Sequence, residues 1–238
     1  MNMKNKLLIN KIAFISLSIL ELLIYIVFLS IDIFSFDINT IFIKYSGIIL
    51  LFLYSFLNYK KWDIEHISFR IAYLFTVLAD LFLLVLNSHF IVGVSFFIIA
   101  QINYFIYLNH DTSKKRISAY IIMYVFICSI LISSISIILK SFEPLYFVVV
   151  LYFILLIINT ISSFNKKNKH GIRLFIGFIL FILCDINVGL NNLEFVLNNN
   201  VLYSFVSVAM WMFYLPSQYL IVNSLDKMYD KIRKRSTI

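Results

Sequence analysis

From residue 11 onward the chain alternates long apolar runs with short polar breaks. The runs occupy 11–30, 38–57, 67–87, 91–109, 117–139, 144–164, 171–190 and 201–222, each close to the roughly 20 residues that carry a helix across a bilayer's hydrocarbon core. Many are rich in Ile, Val, Phe and Tyr, which in water favour strands. Their length and lack of alternation predict helices instead, because an open sheet in lipid leaves backbone groups unpaired. Pro144 stands at the start of a run, where proline is tolerated, whereas Pro216 lies inside the last and is expected to kink it. The reading is an all-α polytopic membrane helix bundle, with about eight transmembrane helices and one domain over 1–238.

Composition sharpens this picture. Of 238 residues, 62% are hydrophobic and 13% charged, with a mean hydropathy of +0.94; a soluble domain of that size needs more polar surface. The first run is too long for a cleaved signal peptide, carries Lys11 and Glu21 and has no small-residue cleavage site, so it is expected to remain in the protein.

The net charge of +8 is not distributed as a nucleic-acid patch. Basic residues gather at Lys4, Lys6 and Lys11, in "NYKKW", "DTSKKR" and "NKKNKHGIR", and in the tail "DKMYDKIRKRSTI"; the intervening connections carry Asp32 and Asp37, Glu143 and Glu194. Every second connection is basic. That arrangement predicts an even number of spans with both termini cytoplasmic, and basic clusters that meet anionic membrane lipid. Cys128 and Cys184 both fall inside predicted spans, so neither a disulfide framework nor a metal site is expected. With no phosphate-binding Gly-rich loop, HExxH or extramembrane domain, any chemistry has to come from the bundle itself. The short connections and the absence of a targeting segment suit a prokaryotic inner or plasma membrane.

Three ionisable residues then stand out by depth. Asp80 lies roughly 10 Å inside the outer end of the third span and Asp185 roughly 8 Å inside that of the seventh, by helical rise. Lys44 enters from outside in the second span and sits roughly 9 Å deep. Charged groups at such depth are costly, face the bundle interior and pair. The plain expectation is that Lys44 neutralises one aspartate. One lysine does not neutralise two carboxylates, however, so the pair can divide labour: one carboxyl gives up a proton as general acid, while the other, held by Lys44, takes one from water or stabilises a cation. Either aspartate suits either role. Around them stand Glu21, Gln101, Asn103, Tyr104, Asn159, Asn187, Asn191 and Gln218, groups whose ordinary task in a bundle is interhelical hydrogen bonding. Gln101 and Tyr104, three apart, share a helix face.

These residues fall into a recognisable series. "LADLFLLV" carries Asp80; "GVSFFIIAQINYFIYL" places Gly93, Phe97, Gln101 and Tyr104 at spacings of four, four and three; "GFILFILCDINVGL" carries Gly177 and Asp185; "YLPSQYLIVNSL" carries Gln218. In order and spacing, from the second span to the eighth, the chain resembles the YhhN family of membrane lysoplasmalogenases, and Lys44 resembles the lysine opening that family's second span. Ala79 replaces the family's usual Gly, Cys184 its Ser and Tyr45 its Pro, and Gln101 stands where His is common.

The resemblance implies hydrolysis of the vinyl ether bond of lysoplasmalogens to a fatty aldehyde and a glycerophospho-base, with no metal or organic cofactor and a lysophospholipid as substrate. Under it, Asp80 and Asp185 are the catalytic pair. Lys44 is a charge partner or headgroup contact, Gln101 and Tyr104 are orienters, and Asn187, Gln218 and Glu21 are supporting groups. The competing expectations are an intramembrane hydrolase for another lipid bond, and a proton-coupled transporter or lipid-binding sensor using the same carboxylates. Ester or amide cleavage more naturally uses a nucleophilic Ser or a metal, and His66, His89, His110 and His170 lie at span ends or in connections.

Overall fold

The computed structural model describes residues 3–34, 36–57, 64–139, 144–166 and 169–225, all of them in helices, turns or short irregular connections. The basic clusters around Lys60 and Lys61 and in the tail beyond 225, together with Glu143, lie outside the described residues. Each of the eight apolar runs is helical over most of its length, with 38–40 and 86–87 outside the helices. In chain order the elements are α1 (Met3–Ile33), α2 (Ile41–Leu57), α3 (Ile64–Asp80), α4 (Phe90–Asn109), α5 (Lys114–Leu139), α6 (Pro144–Phe164), α7 (Lys169–Asn191), the single-turn α8 (Glu194–Leu197) and α9 (Asn200–Asn223). Six of these are long and apolar enough to cross a membrane, and Ile41–Phe56 forms a shorter apolar helix. The protein is an integral membrane protein. Side chains such as Phe126, Val201 and Phe205, exposed on their helices, are what lipid-facing positions require.

The chain divides into two compact units, Met1–Lys60 with Lys167–Ile238, and Lys61–Lys166. In the first, α7 packs along α9, and α1 and α2 pack on each other and on α9. The α7–α9 seam is made close by Gly177: a Cβ there would stand 2.8 Å from Ile221 Cγ1 and 3.2 Å from both Ile221 N and Ser217 O. Small residues allow such backbone approach where no hydrophobic force joins helices within lipid. Helix α9 opens with Asn199, whose side chain accepts from Leu202 N, the ordinary N-cap bond. It runs as one helix through Pro216. At its far end, His170 and Arg173 of α7 bond the carbonyls of Ser224 and Asn223, answering acceptors that a helix C-terminus leaves open.

In the second unit α4 is central, with α3 on one side and α6 on another, and α5 packs on α6. Pro144 is the first residue of α6, where its missing N–H costs nothing. The third span does not end as a plain α-helix. Directly after Asp80 the chain widens into a π-helical turn, Leu81–Val85, with Leu86 N bonded to Leu81 O at 2.9 Å and Ser88 N to Phe82 O at 3.2 Å. Asn87 and His89 then take left-handed conformations, φ 45° and 53°, which Asn and His tolerate better than most residues. The chain thereby reverses into α4 within a few residues. Gly93 makes this possible, because a Cβ there would fall 2.6 Å from Leu83 in the π turn.

Candidate functional site

In the second unit Asp80 closes the regular part of α3 and is 6% exposed. Thr76, one turn earlier on the same face, is fully buried and donates its hydroxyl to Ala72 O at 3.1 Å. Tyr104 of α4, also fully buried, lies beside Thr76 and within the electrostatic reach of Asp80. Its ring is held edge-on against Phe69 at 5.5 Å. One turn back along α4, Gln101 meets Asn159 of α6: Asn159 Nδ2 donates to Gln101 Oε1 and to Gln101 O, each at 2.8 Å. A carboxyl, two hydroxyls and two carboxamides thus come from α3, α4 and α6 into one unit's interior. The sequence pointed to Asp80, Gln101 and Tyr104; Thr76 was missed, although its spacing of four from Asp80 marks it.

In the first unit Asp185 is half-buried on α7 beside the buried Cys184. Asn187 turns back on its own helix, its amide donating to Leu183 O at 2.7 Å, and Asn191 accepts from Ser207 at 3.1 Å. Gln218 on α9 is fully buried. Glu21, on α1, is 4% exposed, and neither carboxyl oxygen has a hydrogen-bond partner among the described residues. Gly47 of α2 makes room for it, since a Cβ at Gly47 would stand 3.2 Å from Glu21 Oε1.

Lys44 does not take the partner expected of it. Its ammonium pairs with Asp32 at 2.7 Å, not with Asp80 or Asp185, and lies 5.7 Å and 5.0 Å from the ring centres of Phe28 and Trp211. The reason is local. Lys44 sits in the first turn of α2, side chains tilt toward a helix's N-terminus, and that direction leads to the α1–α2 connection. Asp32 is fixed there by Thr40, whose hydroxyl donates to its other oxygen at 2.9 Å. The pair is mostly buried, with side chains 11% and 17% exposed. Replacing Lys44 by Met is therefore expected to cost about 3 kcal/mol, since one charge is left largely desolvated. Asp32→Asn in the same chain should recover part of the loss, measured as the shift of thermal unfolding in detergent. Additive losses would show that the pair is not coupled.

The sequence profile of the YhhN family matches residues 39–225, which takes in α2 through α9 and every residue above except Glu21, Phe28 and Asp32. No curated protein and no solved structure matches the chain.

Proposed function

The chain belongs to the YhhN family, and from that premise we propose that it hydrolyses the vinyl ether bond of lysoplasmalogens within the membrane. The observation that carries this reading is Asp80: a carboxyl group 6% exposed inside a span, one turn from the Thr76 hydroxyl on α3 and within the electrostatic reach of the Tyr104 hydroxyl. Such hydroxyls hydrogen-bond a carboxyl in either protonation state. Vinyl ethers are opened by acid. Transfer of a proton to the alkenyl carbon remote from oxygen leaves an oxocarbenium ion. Water adds to that ion and loses a proton, and the hemiacetal collapses to a fatty aldehyde and a glycerophospho-base.

Asp80, the more buried of the two aspartates, is assigned as the acid. Asp185, half-buried and so nearer to water, is assigned to stabilise the cation and take up the proton that water loses. The division follows the logic of paired carboxylates in glycoside hydrolysis. Tyr104 orients Asp80, and Gln101 the reacting group. Glu21, Asn187 and Gln218 support the other unit. Lys44, committed to Asp32, is assigned to the outer end, where its ammonium suits a phosphate headgroup. The short connections further suggest a prokaryotic plasma membrane.

The test is aldehyde release by the purified protein in detergent, with the corresponding acyl lysophospholipid as control. Release from the vinyl ether lipid and none from the acyl lipid is expected. If a folded preparation releases nothing from any lysolipid, the reading fails and the carboxylates are better sought in proton-coupled transport.

A further inference from the structure

Gln101 and Asn159 are both fully buried, and their carboxamides touch without satisfying each other. A reciprocal amide pair would use the donor and the acceptor of both groups. Here Asn159 Nδ2 is instead shared between Gln101 Oε1 and Gln101 O, at 2.8 Å each. That leaves Gln101 Nε2, a donor, and Asn159 Oδ1, an acceptor, with no hydrogen-bond partner among the described residues. Exchanging oxygen and nitrogen on both amides would set Asn159 Oδ1 2.8 Å from the main-chain carbonyl of Gln101, acceptor against acceptor, so that carbonyl fixes which atoms are left over. Buried polar groups are rarely left so, because each forfeits its bond to water.

We propose that this amide pair is a subsite for a single hydroxyl group, which accepts from one carboxamide and donates to the other. The chemistry of the two atoms selects the ligand. A phosphate or carboxylate offers acceptors only and would leave Asn159 Oδ1 facing an anion; an ammonium offers donors only and would leave Gln101 Nε2 unanswered. A hydroxyl answers both. Gln101 lies one turn from Tyr104, which is within the electrostatic reach of Asp80, so the hydroxyl is held in the same unit's interior as the assigned acid. The inference rests on the function proposed above when it names a source. The hydroxyl belongs either to the glycerol carbon left free in a single-chain lipid or to the water that adds to the oxocarbenium ion.

The experiment separates these sources. Binding to the full-length protein in detergent is measured for an alkyl-ether lysolipid, which has no vinyl bond to cleave, with its glycerol hydroxyl free or O-methylated. Alongside, kcat and KM for the vinyl ether lipid are measured for wild type and for Asn159→Leu. If the glycerol hydroxyl is bound, wild type prefers the free hydroxyl by at least about tenfold and Asn159→Leu loses that preference. If water is bound, wild type shows no preference, and Asn159→Leu lowers kcat by about tenfold or more at unchanged KM. No preference in wild type, together with unchanged kcat and KM in a folded variant, overturns the subsite. Should Asn159→Leu not fold, Gln101→Met, close in volume and without the donor, is read in the same way. If the protein cleaves no vinyl ether at all, the proposed function falls and no water is there to be positioned; the subsite then stands if wild type prefers the free hydroxyl and Asn159→Leu does not, and is overturned if wild type shows no preference.

Discussion

Replacing Asp80 by Asn is expected to lower aldehyde release at least about a thousandfold, within the range that a positioned acid contributes. The substitution keeps the size of the side chain and a capacity for hydrogen bonding, and removes the transferable proton. Membrane insertion and thermal unfolding should therefore stay close to wild type while turnover is lost. Asp185→Asn is expected to act in the same direction, and its residual rate is informative: if Asp185 guides water and steadies the cation, as assigned, some acid-driven turnover survives its loss. Wild-type rates in either variant would remove that residue from the mechanism. A variant that fails to fold would instead show that the carboxyl is structural, as buried polar groups in bundles often are.

A second large effect, on stability, is expected far from Asp80 in sequence, at Gly177. Introducing Leu there drives a Cβ to 2.8 Å from Ile221 Cγ1 and 3.2 Å from the main chain of Ile221 and Ser217. A side-chain tip can move aside; two backbone atoms of a packed helix move only with the helix. Overpacking of this kind costs about 3 kcal/mol, and here it acts on the seam that joins α7 to α9. The expected result is a fall of several degrees in the unfolding temperature in detergent, or loss of the folded protein. Gly189, on the same helix, supplies the control: apart from its own stretch of helix backbone, no atom of the described residues lies within 4 Å of a Cβ there. Gly189→Ala should be neutral or stabilising, by up to roughly 1 kcal/mol of helix propensity. Equal unfolding temperatures for Gly177→Leu and wild type would mean that the seam is not closely packed.

Most of the fold was legible in the sequence because lipid leaves so few options. A run such as 144–164, rich in Val, Ile, Tyr and Phe, would be ambiguous in water; at its length in a bilayer only a helix closes its own hydrogen bonds, and α6 occupies that run. The proline at its start was equally readable, for its ring suits a first turn and little else. The π turn after Asp80 was not readable. Nothing in "LFLLV" distinguishes it from an ordinary apolar turn, and it depends on Leu83 finding the space that Gly93 leaves on α4. Lys44 shows the same limit. It stands out in an apolar run, yet three aspartates were available to it, and the choice of Asp32 follows from where α2 begins and from the Thr40 hydroxyl.

Which segments are helices, that the protein is built into a membrane, which carboxyls stand where water is scarce, and to which family the chain belongs can all be read along the chain. All of these depend on local length, hydropathy and spacing. Packing then set who meets whom: Lys44 with Asp32, Tyr104 with Thr76, Asn159 with Gln101, and Gly177 against the backbone of α9. The physical reason is that a helix satisfies its backbone within about four residues. A buried side chain must instead find its partner across the bundle, and Asn159 and Gln101, 58 positions apart, meet only because α4 and α6 pack.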